Sequence, residues 1–338
     1  MRVPPQAPER VLLIQLRRHG DVLLSTPLAA DLIRAFPSAV VDYLVGPAYA
    51  ALLEGIPGLG SALVYDWDRP RSMWGAIRRR RYDWIIDVQS SPRTAVLTRL
   101  SGAPLRVGWR MRGWSWAYTH TVPRGSTMYV VRDRQRLLEA VDVPIGPPRA
   151  RLYLTDDERA RGEAQAGALG VAPSRRRAGL LLSAGDSAKE WGVENFGELA
   201  ALLARSGTIP LVFPGPGDDA LVERFREIAR DAVIAPQQEI RPFLGLLATC
   251  QVFVSADTGP AHMALALDVP TVTIYGPTNP VSWSLGPPTN LTVRSDHVPC
   301  IQCGRRVCPI GHDCMTQLSP DRVFELVQRL LSSSARQS

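Results

Sequence analysis

Lysine is nearly missing from this chain. Lys and Arg together number 39 in 338 residues, and Lys189 is the only lysine, so arginine supplies the other 38 cations. Such depletion marks a bias toward arginine codons. Part of the formal net charge of +7 therefore reflects codon usage. The rest fits an anionic partner, whether a phosphorylated substrate, an acidic membrane surface or nucleic acid. Long apolar runs are also missing. No stretch of about 18 apolar residues occurs, which excludes a membrane-spanning helix. The opening segment "MRVPPQAPERVLLIQLRRHGDV" has a short apolar stretch followed at once by Arg17 and Arg18, with no small-residue cleavage site. It is not expected to be a secretory signal, and the expected location is cytoplasmic. Cysteine is scarce, at 5 residues, which excludes a disulfide-rich secreted domain. No GxxxxGK[ST] motif is present, so there is no P-loop. No recognition-helix pattern or RNP-like aromatic set organises the basic residues, which argues against a nucleic-acid partner.

Apolar residues make up 45% of the chain, and its length suits two domains better than one core. Residues 10–16, "RVLLIQL", read as a short buried strand. "VLLSTPLAADLIRAF" then has helical spacing, "AVVDYLVG" reads as a strand and "PAYAALLEGIPG" as a short helix closed by Gly and Pro. "RYDWIIDVQS" is a third strand before a helix at 92–101, and "PLRVGW" a further strand. Residues 144–178 change character and read as a linker that includes the charged helix "TDDERARGEAQAGALG". The alternation then restarts with "AGLLLSAG", "IPLVFPGPGDD", "CQVFVSADTG" and "PTVTIYGPTNP" as strands with their turns, separated by helical segments. An amphipathic helix, "SPDRVFELVQRLLSS", precedes a polar tail expected to fray. Strands alternating with helices imply right-handed crossovers and parallel sheets. The expected architecture is α/β, with two Rossmann-like domains, 1–170 and 171–320, then a C-terminal helix and tail, 321–338. Ligands in such sheets bind beyond the carboxyl ends of the strands.

Several polar motifs stand at those ends. After the first strand, "HGD" places Gly20 for a tight turn and Asp21 in the first turn of the next helix. Asp21 can cap that helix or take the proton of an attacking hydroxyl, and local sequence leaves both open. "LLSAGDSAKEWGVENF" runs from a strand through Ser183, Gly185 and Ser187 to Lys189 and a helix. Small residues let backbone N–H groups approach a phosphate, and a lysine adds a compact cation. The alternative is an ordinary solvated charge, which the loss of lysine everywhere else makes less apt. "SADTGPAHMALAL" ends a strand with Asp257, Thr258 and Gly259, puts Pro260 in a helical first turn and His262 one turn in. Thr258 and Gly259 can donate to a phosphate and Asp257 can accept from a sugar hydroxyl, although the same pattern also serves as a plain helix start. "FPGPGDD" offers a Gly-rich turn containing Gly215 and two carboxylates, Asp218 and Asp219, that could hold a ribose or simply start the next helix, and "YGPTNP" a loop suited to lining a cleft. Arg17, Arg18 and Arg93 follow strands and are candidate contacts for an anionic acceptor. "DRPRSMWGAIRRRRYDW", residues 68–84, mixes arginines with two tryptophans. It suits an acidic membrane surface or the phosphates and carboxylates of an anionic acceptor, or is a solvated helix face.

Together these stretches resemble glycosyltransferase family 9, the ADP-heptose:lipopolysaccharide heptosyltransferases. The resemblance rests on "LLIQLRRHGDVLLSTPLAADLIRAFPSAVVDYLVGPAYAALLEG", "SAKEWGVENFGELAALL", "VSADTGPAHMALALDVPTVTIYGPTNPVSW" and "CIQCGRRVCPIGHDCM", in the family's order along nearly the whole chain. It implies a GT-B fold, with two Rossmann-like doubly wound parallel-sheet domains facing a central cleft. The N-terminal half would take the lipid-linked saccharide acceptor and the C-terminal half the nucleotide sugar. It implies inverting single displacement with no cofactor and no catalytic metal. Asp21 matches the family's general base and Lys189 its donor-phosphate lysine. Asp257, Thr258, Gly259 and His262 match the donor-binding "DTGxxH". Ala184 and Gly185 stand where the family often carries hydroxyls, so contacts there fall to the backbone, Ser183 and Ser187. The acceptor implied is an anionic lipid A–Kdo core, reached by peripheral contact with the inner face of the inner membrane.

Cys300-x2-Cys303-x4-Cys308-x5-Cys314, with His312 inside the run, has spacing suited to a structural zinc or iron site. Reduced structural thiols or a disulfide are the alternatives. Cys250 lies in an apolar segment and reads as a core residue. The rival functions are a GT-B transferase using another nucleotide sugar or a protein acceptor, a basic nucleic-acid-binding protein, and a catalytically silent GT-B binding module. Sequence leaves the oligomeric state open.

Overall fold

A computed structural model of the chain describes residues 7–125 and 127–334. The polar tail expected to fray lies beyond the described residues from residue 335 onward. The chain divides into two compact units that meet in sequence at Tyr153 and Leu154. The first unit holds β1 (Arg10–Ile14), β2 (Val40–Val45), β3 (Leu59–Val64), β4 (Trp84–Asp87), β5 (Leu105–Trp109) and β6 (His120–Val122). They form one six-stranded sheet in the order β3-β2-β1-β4-β5-β6. The second unit holds β7 (Arg177–Leu180), β8 (Ile209–Val212), β9 (Val233–Ile234), β10 (Val252–Ala256), β11 (Thr271–Ile274) and β12 (Asn290–Val293). Their order is β12-β11-β10-β7-β8-β9. Counted within its own unit, each sheet has the doubly wound order 3-2-1-4-5-6, and every pairing is parallel.

The central strands are apolar on both faces because helices cover both sides of a parallel sheet. Val11, Leu12, Leu13 and Ile14 of β1 and Val252, Phe253 and Val254 of β10 are fully buried. Around β7 and β10 the core continues through Trp191, Phe196, Leu199 and Leu203, and it takes in Val323, Val327, Leu330 and Leu331 of the helix Pro320–Ser334. Asp42 is a carboxylate embedded in this framework without exposure. Asp42 of β2 accepts from the Tyr82 hydroxyl at 2.5 Å, the Ser61 amide at 2.8 Å and Arg80 at 3.1 Å. A buried charge survives only when it is paired and hydrogen-bonded in this way. Arg80 of the arginine-rich stretch therefore serves the core, and so does Tyr82.

Two local features depart from the sequence expectation. The helix expected over "VLLSTPLAADLIRAF" is two, His19–Leu23 and Thr26–Ala35. Pro27 has no N–H to return to the Leu23 carbonyl. The Thr26 hydroxyl takes that carbonyl at 2.8 Å instead, and the Ser25 hydroxyl takes Asp21 O at 2.8 Å. The charged helix Asp156–Ala168, placed by sequence in a linker and in a first domain ending at 170, belongs to the second unit. It packs on the helix Ile240–Leu247 at a glycine–glycine contact. A Cβ built on Gly162 would stand 2.1 Å from the Gly245 carbonyl oxygen.

Gly162→Ala forces those two backbones apart. It should lower the unfolding free energy by about 1–3 kcal/mol, the usual range for overpacking, read as a shift in the urea midpoint. An alanine variant as stable as the parent would show that this contact yields freely.

Candidate active site

In a doubly wound sheet the crevice opens where the strand order reverses, between the first and fourth strands. Ile14 of β1 is in register with Asp87 of β4, and Leu180 of β7 with Val254 of β10. The segments leaving these ends are "QLRRHGD" and "VQSS" in the first unit, and "LLSAGDSAK" and "DTGPAH" in the second. Candidate residues from distant parts of the chain therefore emerge side by side within each unit.

In the first unit they line a cavity of about 340 Å³, bounded by Gln15, Arg17, Arg18, Asp21, Gln89 and Ser91 together with Val88, Arg124 and Arg134. Asp21 sits in the first turn of His19–Leu23. Its Oδ2 is 3.5 Å from the Arg18 amide, beyond a well-formed capping bond. Its Oδ1 is 2.5 Å from Nη2 of Arg134, and Nη1 of Arg134 also holds Asp21 O at 2.7 Å and Ser25 Oγ at 3.1 Å. Arg134 is buried, with 7% of its side chain exposed against 34% for Asp21. A buried guanidinium thus grips the carboxylate from behind while part of it faces the cavity. Arg124 lies over the Trp109 ring at 4.7 Å. Arg134 and Arg124 were not found from sequence. Arg93 does not line this cavity; its guanidinium stands 4.9 Å from the Trp67 ring centre.

The wall behind Val88 and Gln89 is a hydrogen-bonded turn. Asp87, fully buried, accepts from the Ser90 amide and the Tyr118 hydroxyl at 2.8 Å each. Ser90 Oγ donates to Asp87 O and accepts from the Trp109 amide, and Trp109 Nε1 donates to Val88 O at 2.7 Å. Burial raises the Asp87 carboxyl to about 6, against the lowering effect of its hydrogen bonds.

In the second unit Lys189 ends the short turn Ser187–Lys189. Its Nζ donates to Asp257 O at 3.0 Å and to Asp257 Oδ2 at 3.1 Å. The ammonium has three hydrogens, so one remains for a ligand. Asp257 also has Oδ1 3.7 Å from His262 Nε2. Thr258 is the extended N-cap of the helix Gly259–Ala266, with Pro260 in its first turn. The amides there point outward and favour an anion. Ser183 and Gly215 converge on one carboxylate: Asp218 Oδ2 accepts from Ser183 Oγ at 2.7 Å and from the Gly215 amide at 2.6 Å. Gly185 and Ser187 are exposed, and a Cβ on Gly185 would meet open space. Asp218, one of the two carboxylates of the Gly-rich turn, is thus engaged with the protein's own Ser183 and Gly215.

The four clustered thiols are all free and range from buried Cys314 to exposed Cys303. Burial pushes the Cys314 thiol up, and its three neighbours act in the same direction. Among the described residues, however, no group of three or more His, Cys, Asp or Glu is gathered so as to hold a metal ion. No chemistry is assigned to a metal there. Cys250 is a core residue, its thiol pushed up to about 12 by burial. No described helix is long and apolar enough to cross a membrane.

A family model for glycosyltransferase family 9 (heptosyltransferase) matches residues 70–313. The chain belongs to glycosyltransferase family 9. This family-9 chain is 27% identical over 357 aligned residues to lipopolysaccharide heptosyltransferase 1 of Pseudomonas aeruginosa, covering 95% of this chain and 98% of that one. Its fold is similar to that of a family-9 glycosyl transferase from Veillonella parvula, with a TM-score of 0.85 at 19% identity, covering 96% and 97% of the two chains. It is also similar to ADP-heptose lipopolysaccharide heptosyltransferase II of Escherichia coli, with a TM-score of 0.81 at 21% identity over 96% and 99%. The family-9 chain is thus a glycosyltransferase of GT-B architecture.

Asp87→Asn tests the turn behind the cavity. A carboxyl raised in the folded state stabilises the fold in its protonated form, so its contribution is complete below about pH 4 and is lost as pH rises through about 6. The parent should lose stability relative to Asp87→Asn over that interval, by up to about 3 kcal/mol, since each tenfold change in proton affinity is worth about 1.4 kcal/mol. Urea unfolding at pH 4.5 and 7.5 reads the difference. A pH-independent difference would mean that Asp87 does not titrate there.

Proposed function

We propose that this protein transfers a heptose from ADP-heptose to a hydroxyl of an anionic lipopolysaccharide inner-core acceptor of the lipid A–Kdo type, with inversion at the anomeric carbon. The observation that carries the reading is the sole lysine held by Asp257 beside the N-terminus of Gly259–Ala266. The names of the relatives, heptosyltransferases of lipopolysaccharide, supply the sugar and the pathway.

Each unit is assigned one part of the chemistry. Asp21 takes the proton of the acceptor hydroxyl as its oxygen attacks the anomeric carbon. The bond from that carbon to the β-phosphate oxygen breaks, and ADP leaves with added negative charge. The third Lys189 hydrogen, the Thr258 hydroxyl and the Gly259 amide meet that charge. Preorganised donors of this kind are worth about 3 kcal/mol each in a transition state. Ser183, Ser187 and the Gly185 and Gly215 backbones line the donor side, with Asp218 fixing Ser183 and Gly215. Arg17, Arg18, Arg124 and Arg134 give the Asp21 cavity the cationic lining that acceptor carboxylates or phosphates need. Arg93, stacked on Trp67, contributes to the surface. There, exposed Arg69, Arg71, Arg79 and Arg81 with Trp67 support cytoplasmic, peripheral contact with an acidic membrane.

Asp21→Asn should lower kcat by about 10²–10⁴-fold, the usual worth of a general base, and leave ADP affinity within about twofold. Lys189→Ala should weaken ADP binding in titration calorimetry by about 10–100-fold, as expected for a hydrogen bond between charged groups. Full turnover by Asp21→Asn removes it as the base, and unchanged ADP affinity in Lys189→Ala removes the donor-site reading.

A further inference from the structure

The segment that carries the cysteines has a second property, independent of its thiols. From Ile301 to His312 it has no regular structure, yet it is fastened to the turn that presents Lys189. The Ala188 amide donates to the Arg306 carbonyl at 3.1 Å. His312 Nε2 stands 2.6 Å from the Ala188 carbonyl oxygen. A carbonyl only accepts, so Nε2 is the donor. Both polar backbone groups of Ala188, a buried residue, are thus claimed by the same segment.

The His312 bond falls on the peptide group that joins Ala188 to Lys189. The other end of that group, the Lys189 amide, donates to Asp186 O at 2.9 Å. Asp186 is tied to the segment in turn, through Arg306 Nε to Asp186 Oδ1 at 2.6 Å. The plane from which the Lys189 side chain springs is therefore fixed at both ends. The segment is anchored on its far side as well. The Gln302 and Gly304 amides donate to Gly276 O and Pro277 O at 2.9 and 2.8 Å. A Cβ on Gly276 would lie 2.5 Å from Met315 Sδ and 3.0 Å from Cys314 Sγ, so the packing there is close. His312 itself adopts φ 64°, a left-handed conformation uncommon in residues with side chains. An observed backbone outlier of this kind supports a functional hypothesis for the residue that bears it.

We propose that His312 is a positioning residue for Lys189: its Nε2–H sets the Ala188–Lys189 peptide so that the ammonium reaches Asp257 and the donor diphosphate together. The proposal rests on the reading of Lys189 as the diphosphate cation. It assigns His312 a role apart from any metal.

The experiment is a double-mutant cycle on the full chain with ADP as the probe, read by calorimetry, with donor and acceptor KM measured in parallel. His312→Ala should weaken ADP binding about five- to tenfold, the worth of one lost hydrogen bond, and raise donor KM while acceptor KM stays unchanged. His312→Gln carries an amide N–H near the Nε2 position. It shares with alanine the same left-handed backbone demand, so it should recover affinity to within about threefold of the parent. In a Lys189→Ala background, His312→Ala should add no further loss beyond about twofold, because coupled residues are not additive. Three results overturn the proposal: parental ADP affinity in a folded His312→Ala protein, losses that multiply in the double variant, or a folded His312→Gln protein as weak as alanine. If His312→Ala does not fold, the glutamine variant decides alone, and a tenfold loss in it counts against the proposal. Unchanged ADP affinity in Lys189→Ala would remove the donor-site reading first and this inference with it.

Discussion

A parallel sheet that winds in two directions must reverse its strand order once, and at that reversal the loops leaving two neighbouring strands diverge to opposite faces. That constraint places the candidate groups that leave β1, β4, β7 and β10. It acts twice, between β1 and β4 and between β7 and β10. In the first unit it brings Arg17, Arg18 and Asp21 against Gln89 and Ser91, across more than sixty residues of chain. In the second it sets Lys189 within hydrogen-bond reach of Asp257. The fully buried strands beneath contribute rigidity: with β1 and β10 packed on both faces, the loop origins cannot shift without breaking registers of parallel hydrogen bonds.

The abundant arginine is put to two different uses. Some guanidinium groups satisfy carboxylates within the fold, as Arg80 does for Asp42 and Arg134 for Asp21. Others remain on the surface, among them Arg69, Arg71, Arg79 and Arg81. Net charge alone cannot separate these populations, because burial and partner decide what each cation does. The run at 78–81 contains both kinds within four residues.

The fold class was legible because buried parallel strands read as short apolar runs, and eight of them stand out along the chain as β1, β2, β4, β5, β7, β8, β10 and β11. The strands that escaped notice lie toward the sheet edges. β3 alternates between partly buried and exposed residues, β9 has two residues, and β6 and β12 are polar at several positions. The candidate donor-side motifs stand out in the sequence because they lie in segments that leave strands, Ser183 and Lys189 after β7 and Asp257, Thr258 and His262 after β10. Arg134 does not, because it reaches Asp21 across 113 residues from a helix with no motif of its own. The partners of Asp218 and His312 were not legible either, because backbone and hydroxyl groups leave no compositional trace. The cysteine spacing left a metal, reduced thiols and a disulfide open, and the structure shows the four thiols free.

The surviving lysine also has a geometric reason. Two of the Nζ hydrogens go to the carbonyl and the carboxylate of Asp257 in diverging directions, and in the proposed reading the third meets the donor diphosphate. An ammonium is a compact tetrahedral point that can meet all three. A guanidinium is a planar fork whose N–H groups run side by side, suited to one flat anion such as a carboxylate. Placed here, it would either pair fully with Asp257 and turn away from the ligand, or reach the ligand and leave Asp257, 5% exposed, without its cation. Leaving a buried carboxylate unpaired is costly. A codon bias that makes arginine the easy cation elsewhere therefore meets resistance at residue 189, where the shape of the charge matters as well as its sign.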